Sequence, residues 1–340
     1  YHSVYGRNFG ETKQKMLEYT EKYGEVRGKG KTLEYIICFW LERRRKDWKP
    51  STYANYRRIA EGHLLPYWSG IYPEALSTER VRKFIVTKKN DGLSHGYIKN
   101  IFGLFLQALK YYENENDNIR YKIPASMLLG KNEDNEGAKR LPDIEVIDEI
   151  EKILYTRELP EQAGMLIAIN SGIRIGELCA LQWKDVDLKA GIIHVNKTMQ
   201  RIRTYSGHKS ETEICIMKPK SSSSIRDIPL PSNLVHFLDG KKGSPEAYVI
   251  PGKKVDYCEP RTLQYRFERF LRTYHFEEFR FHALRHCFAS RCIELGFDAK
   301  SLCEIMGHSD IRITLQLYVH TSIKQKRTLM ERLNVENRFQ

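Results

Sequence analysis

HALRHCFASRCIELG, His282 to Gly296, and LCEIMGHSDIRITLQLYVH, Leu302 to His320, are the two halves of the stretch that decides how this chain is read. In the first, Leu284, Phe288, Cys292 and Leu295 recur at helical spacing and Gly296 stands where a helix C-cap is expected. A helix is therefore predicted with His282 and Arg285 on one turn near its start, where both can point at one target. In the second, the pattern predicts a short helix from an Asp298 N-cap to Gly307 and another that starts at Asp310 and carries Tyr318. Two histidines, an arginine and a tyrosine on three short helices place hydrogen-bond donors round a nucleophile. Donors of that kind suit a phosphodiester, whose non-bridging oxygens gain negative charge in the pentacoordinate transition state. Plainer readings compete. A lone His or Tyr on such a helix is most often packing or surface, and His282 with His286 has the spacing of a metal pair. The metal reading is disfavoured because no Glu follows His282, as the H-E-x-x-H pattern requires.

Composition agrees with a polyanionic partner. The 340 residues, 41% hydrophobic and 29% charged, make a globular chain with room for two or three domains. A net charge of +13 favours nucleic acid, since each Lys or Arg set near a phosphate releases counterions. The seven cysteines are scattered with no C-x-x-C pair, which points away from a disulfide framework or a zinc ribbon and towards a reducing cytoplasm. No apolar run reaches membrane-span length and no secretory signal opens the chain.

Residues 1–30 contain a strand-like segment and a polar helix from about Glu11, and the start at Tyr1 reads as partway through an element. From 31 to 118 the pattern is helical: LEYIICFWLERRRK, then STYANYRRIAEGHLLPYW with a Ser51 or Thr52 cap, STERVRKFIVTKK with a Ser77 or Thr78 cap, and a fourth helix from about Ser94. Arg43, Arg44, Arg45, Lys46, Arg57, Arg58 and Lys99, interleaved with Tyr and Trp, are candidate DNA-backbone contacts, although charges on such a bundle can equally do no more than solvate its outer faces. Residues 119–140 read as a linker, with a boundary near Ala138, and 141–322 as a second domain in which Asp143 is expected to cap IEVIDEIEKIL.

Within that domain GIRIGELCALQWKDVDL places Arg174 at the mouth of a predicted helix, IGELCALQW, with Glu177 one turn on to brace it. On its own an Arg–Glu pair at this spacing is more often a surface ion pair. IIHVNKTMQRI, ETEICIMKPK and IRDIPL then read as one small antiparallel sheet, with Lys220 at a strand end or tight turn, where a solvated lysine is the plain alternative.

Arg174, Lys220, His282, Arg285, His308 and Tyr318, taken in that order, resemble the tyrosine recombinase (lambda-integrase) family. The likeness runs from about Lys31 to the C-terminus and rests on G-[LI]-R-x-x-E-L at Gly172, H-x-L-R-H at His282, G-H at Gly307 and a tyrosine ten residues after His308. Its start is also similar to the end of the arm-binding domain of phage and conjugative-transposon integrases. The resemblance implies a mainly α fold with a small antiparallel β-sheet, in which a helical core-binding domain and a catalytic domain form a C-shaped clamp on DNA. It implies that Tyr318 attacks a phosphate, that Arg174 and Arg285 clamp the non-bridging oxygens, and that Glu177 orients Arg174. Lys220 would protonate the leaving 5′-oxygen, with Lys218 and Lys209 as local alternatives. His282 would assist proton transfer at Tyr318, and His308 would donate to the phosphate.

No metal, nucleotide or other cofactor is needed, because the phosphotyrosine ester conserves the bond energy for religation. The expected partners are double-stranded DNA at core and attachment sites, three further copies of the chain in a tetramer on two duplexes, and accessory DNA-bending and directionality proteins. Residues 323–340 would pack on a neighbouring protomer, and the setting would be the bacterial cytoplasm, close to the nucleoid. Two rivals stand beside this reading: a type IB topoisomerase, which lacks site pairing, and a DNA-binding regulator that uses His282 to Tyr318 as a helix-turn-helix.

Overall fold

The computed structural model describes residues 11, 12, 14, 15, 31–116, 141–206, 209–219, 222–318, 327, 330 and 331, which form helices and two small antiparallel sheets. Of the elements expected at 1–30 only residues 11, 12, 14 and 15 are described, and they are helical, as expected from about Glu11 on; the linker, Lys220 and nearly all of the tail lie outside the described residues. Backbone contacts divide the chain into one unit of Tyr1–Gly137 with Ile202–Glu213, and a second of Ala138–Arg201 with Ile214–Gln340.

The first unit is built of α1 (Leu33–Arg43), α2 (Pro50–Ile59), α3 (Leu65–Trp68), α4 (Thr78–Asn90) and α5 (His95–Asn114). Side-chain oxygens of Thr32, Ser77 and Ser94 accept from the N–H groups of Tyr35, Arg80 and Tyr97 and so start α1, α4 and α5. The Ser51 or Thr52 cap expected for the second helix is not used. Pro50 occupies the first turn and Lys49 the cap position, because proline's fixed φ already suits a helix start and needs no donor there. A π turn, Ala60–Leu64, joins α2 to α3, with Leu65 N–H reaching back to Ala60 O. Pro66 follows directly; it lacks an N–H and crowds the carbonyl four residues back, and the wider turn makes room for it. Trp68, fully buried, stacks on Phe105 at 4.8 Å and anchors this core together with Phe84 and Phe102.

The second unit wraps α7 (Gln162–Ser171), which is apolar nearly all round and almost wholly buried, as a central helix must be. Around it lie α6 (Ile144–Thr156), α8 (Ile175–Cys179), α9 (Ser232–Asp239), α10 (Pro260–Thr273), α11 (His282–Glu294), α12 (Ala299–Met306) and α13 (Ile311–Tyr318). Asp143 stands at the N-cap of α6, but its side chain makes no capping bond, so that expectation holds for position and not for chemistry. IGELCALQW is helical only to Cys179.

The one sheet expected is two. β1 (Val186–Asp187), β2 (Ile192–Val195) and β5 (Arg226–Pro229) form one, with Ile193 opposite Ile228; β3 (Thr198–Ser206) and β4 (Lys209–Met217) form a separate hairpin. The break between β2 and β3 has a cause: Asn196 and Lys197 are drawn at 3.2 and 2.9 Å to the buried Asp185 carboxylate, which pulls the chain off the sheet line.

Replacing Trp68 by Ala should cost about 3–5 kcal/mol, read as a lowered urea midpoint for the first unit. A loss below about 1 kcal/mol would show that the Trp68–Phe105 stack does not hold this core together.

Candidate active site

Two helix ends in the second unit are turned by glycines, and each turn aims a carbonyl at an arginine. α7 ends at Gly172 (φ 60°) and α12 at Gly307 (φ 63°), both left-handed. Arg285 Nη1 donates to Gly172 O at 2.6 Å and its Nη2 to Met306 O at 2.5 Å; Arg174 Nη2 donates to Gly307 O at 2.7 Å. Carbonyls at a helix C-terminus carry the negative end of the dipole, which stabilises a guanidinium there. Glycine is required on two counts. A side chain resists φ near +60°, and a Cβ would stand 2.5 Å from Phe288 Cδ1 at Gly172 and 3.0 Å from Ser223 O at Gly307.

Arg174 sits at the N-cap of α8 and Glu177 at its third position. The carboxylate accepts the Arg174 N–H at 3.1 Å and Arg174 Nη1 at 2.8 Å. This is not an ordinary surface pair, because Glu177 is only 3% exposed. Burial pushes the Glu177 carboxyl up, but Arg226 and Arg174 outweigh it and hold the group below the usual carboxylate range. Arg226, absent from the candidates read in the sequence, gives Glu177 its second partner at 2.9 Å. β5 reads Arg-Asp-Ile-Pro, and nothing local marks its first residue off from an ordinary strand-end charge.

His308 follows Gly307, with Nδ1 2.8 Å from the hydroxyl of the fully buried Thr314 on α13. Burial, then Arg285, Arg174, Arg226 and His286, push His308 down to about 4, so it is neutral near pH 7. His282, the first residue of α11, faces His286 at 5.1 Å between ring centroids and is lowered by burial, His286, Arg285 and Arg174. Arg285, 4% exposed, is pushed down to about 9 by burial and by Arg174 and Arg226, and it remains charged at neutral pH. α13 packs on α11 and α12 and ends at Tyr318, whose side chain lies outside the described residues. Lys220 and the Lys209 side chain lie outside them as well, and Lys218 is exposed just beyond β4.

Arg174, Glu177, Arg285 and His308 are thus brought together, with His282 and the end of the Tyr318 helix beside them. The guanidiniums of Arg174 and Arg226 pair with the one carboxylate of Glu177 while Arg285 is held close by on backbone carbonyls, an excess of two positive charges in a buried setting. Arg174, 36% exposed, is the most open of the three guanidiniums. The arrangement is made to receive an anion.

The Phage integrase family matches residues 143–325, and its N-terminal SAM-like domain matches 32–87. The chain belongs to the phage integrase family. It is a tyrosine recombinase of the phage and transposon integrase type, an enzyme of site-specific DNA recombination. A relative described as tyrosine recombinase XerC-like, from Caldanaerobacter subterraneus subsp. tengcongensis, is 26% identical over 89% of this chain and 83% of its own length. The Tn1549 transposon integrase, solved with a circular intermediate DNA, shares the fold at a TM-score of 0.73 and 21% identity, over 89% of this chain and all of that one. A lambda integrase tetramer bound to a Holliday junction shares it at a TM-score of 0.62 and 16% identity, over 92% of this chain and 88% of that one.

The seven basic candidates lie in the first unit of this recombinase, and there the structure distinguishes them. Arg57 is paired with Glu61 at 2.8 Å and its side chain is 12% exposed, so it is an internal brace. Arg43, Arg44 and Arg45 lie over Phe39, Trp48 and Tyr53, and Arg58 is held by Tyr97 and Asn55, which fixes these guanidiniums in place. Lys46 and Lys99 are exposed.

A histidine whose folded pKa is depressed binds fewer protons folded than unfolded. His308 therefore supports the fold fully above its ordinary value of 6.5, and that support is lost as pH falls towards about 4. Imidazole NMR of the full chain should place the His308 midpoint near 4; a midpoint at 6.5 or above would show that the arginines do not surround it.

Proposed function

We propose that this chain cuts and rejoins double-stranded DNA at a core site through Tyr318, with the arginine cradle as the seat of the scissile phosphate. The observation that carries the proposal is the cradle's uncompensated double positive charge. It matches a phosphodiester that passes from one negative charge to two in the pentacoordinate state. Tyr318 Oη attacks phosphorus, the P–O5′ bond breaks, and the products are a 3′-phosphotyrosyl ester and a 5′-hydroxyl. Arg174 and Arg285 take the non-bridging oxygens with planar forks that a lysine cannot reproduce. His308 donates to the same group. His282 accepts or returns the Tyr318 proton, a task suited to an imidazole that is neutral near pH 7. Lys220 delivers a proton to O5′.

Residues 31–118 and 141–322 would act as the two arms of a clamp joined by 119–140, with exposed Lys46 and Lys99 and the ring-held arginines on the DNA backbone. Four copies on two duplexes, with 323–340 docked on the next protomer, would form the recombining assembly in a bacterial cytoplasm. The relatives bound to a circular intermediate and to a Holliday junction support this reading.

The core site can be selected by covalent capture from a randomised pool of nicked duplexes. The wild-type chain should give an adduct that survives denaturing gels, and Tyr318→Phe should bind DNA almost as well yet give none. An adduct in that variant would remove Tyr318 from the role. Capture also separates this enzyme from a regulator that only binds.

Lys220→Ala should cleave ordinary DNA slowly and recover on DNA whose bridging 5′-oxygen is sulfur, a leaving group that needs no proton. Arg174→Ala should not recover. Equal defects on both substrates would exclude Lys220 as the acid, and rescue of Lys218→Ala or Lys209→Ala instead would transfer the role.

A further inference from the structure

We propose that Arg226 is a positioning residue for strand cleavage. It locks Glu177, and through it Arg174, in the geometry that receives the phosphate. The inference rests on the reading of Arg174 as a phosphate ligand.

Arg226 opens β5, immediately after the 3-10 turn Ser222–Ser224. Its guanidinium reaches three parts of the chain at once: Nη2 donates to Glu177 Oε2 at 2.9 Å, Nε to Ile305 O at 2.6 Å, and Nη1 to Ser224 O at 3.1 Å. The side chain is 6% exposed and all three of its nitrogens already donate to protein acceptors, so Arg226 acts on a substrate only through other groups.

Glu177 shows how. Its Oε1 receives Arg174 Nη1, and its Oε2 receives both the Arg174 N–H and Arg226 Nη2. The last torsion of a glutamate is broad and easily turned. Without Arg226 the carboxylate keeps partners from one residue only and can rotate with it; with Arg226 it is fixed from a second element, and Arg174 is aimed against a rigid acceptor.

The Ile305 contact completes the registration. Ile305 lies in the last turn of α12, the helix end whose Met306 and Gly307 carbonyls hold Arg285 and Arg174. All three arginines are therefore referenced to one helix terminus. Gly307 permits this closeness, since a Cβ there would lie 3.0 Å from Arg226 Cδ and Nη1. A lysine, with one compact ammonium in place of a fork, cannot span acceptors set in three directions.

The test uses the full chain and a suicide duplex carrying the selected core site, with the single-turnover rate of adduct formation read per DNA-bound molecule. Arg226→Lys should slow cleavage roughly ten- to hundred-fold, the scale of a small misplacement of a reacting group, with DNA affinity within about twofold of wild type. In an Arg174→Ala background the same substitution should add nothing, because its target is gone. A purely structural residue would instead slow both backgrounds by the same factor, and that result, or a wild-type rate for Arg226→Lys, overturns the inference. A wild-type rate for Arg174→Ala overturns the reading beneath it, and so is told apart. Glu177→Gln/Arg226→Gln, which exchanges the ion pair for a neutral pair, is the second variant: it should be slowed comparably, and a wild-type rate in it also overturns the inference.

Discussion

Burying Arg285 is the constraint on which the catalytic unit depends. Taking a guanidinium out of water costs several kcal/mol unless its donors are satisfied and its charge is balanced. Here the balance comes from backbone: Gly172 O and Met306 O, the ends of two helices, meet the two Nη groups. Those helices must therefore stop where they do, and the left-handed glycines stop them. The packing of α7 in the middle of the core and of α12 at its edge is in this sense set by a charge that lies between them.

The balance is deliberately incomplete. Glu177 offsets one of the three guanidiniums, and the histidines nearby are all driven towards neutrality by burial and by the same arginines. The result is a site held together by groups that repel, with two positive charges left for a ligand. Under the proposed function the phosphate completes an electrostatic structure that the protein alone leaves open, and most fully when the phosphate carries its greatest charge. This is catalysis by differential binding, built from backbone carbonyls and one carboxylate.

The helical first unit uses its cations differently. Rings of Phe39, Trp48, Tyr53 and Tyr97 lie under Arg43, Arg44, Arg45 and Arg58, contacts worth about 0.5–1 kcal/mol each at exposed sites, which favour one placement of each guanidinium. Under the proposed function, a guanidinium so placed gives up less entropy on contact with a phosphate. Arg57 shows the limit of judging such residues by type, since its salt bridge to Glu61 keeps it inside the bundle.

The sequence by itself determined much of this protein. The helical periods, the Ser77 and Asp298 caps, the stop at Gly307, and the order of Arg174, Glu177, His282, Arg285, His308 and Tyr318 could all be read because each is a local pattern or a motif of fixed spacing. Pro50 displaced the Ser51 or Thr52 cap for a reason that is itself local, since its fixed φ and missing N–H suit the first turn. Other features were decided only in three dimensions. The sheet became two because Asp185 pulls Asn196 and Lys197 aside, and the 11 and 12 positions between them match no helical or strand period that would have announced the contact. Arg226 is a strand residue like many others until Glu177, 49 positions earlier, and Ile305, 79 positions later, come within reach of one guanidinium. Local spacing fixes which residues share a turn. Which charges must share a carboxylate depends on the close approach of distant segments, and so only the tertiary structure decides it.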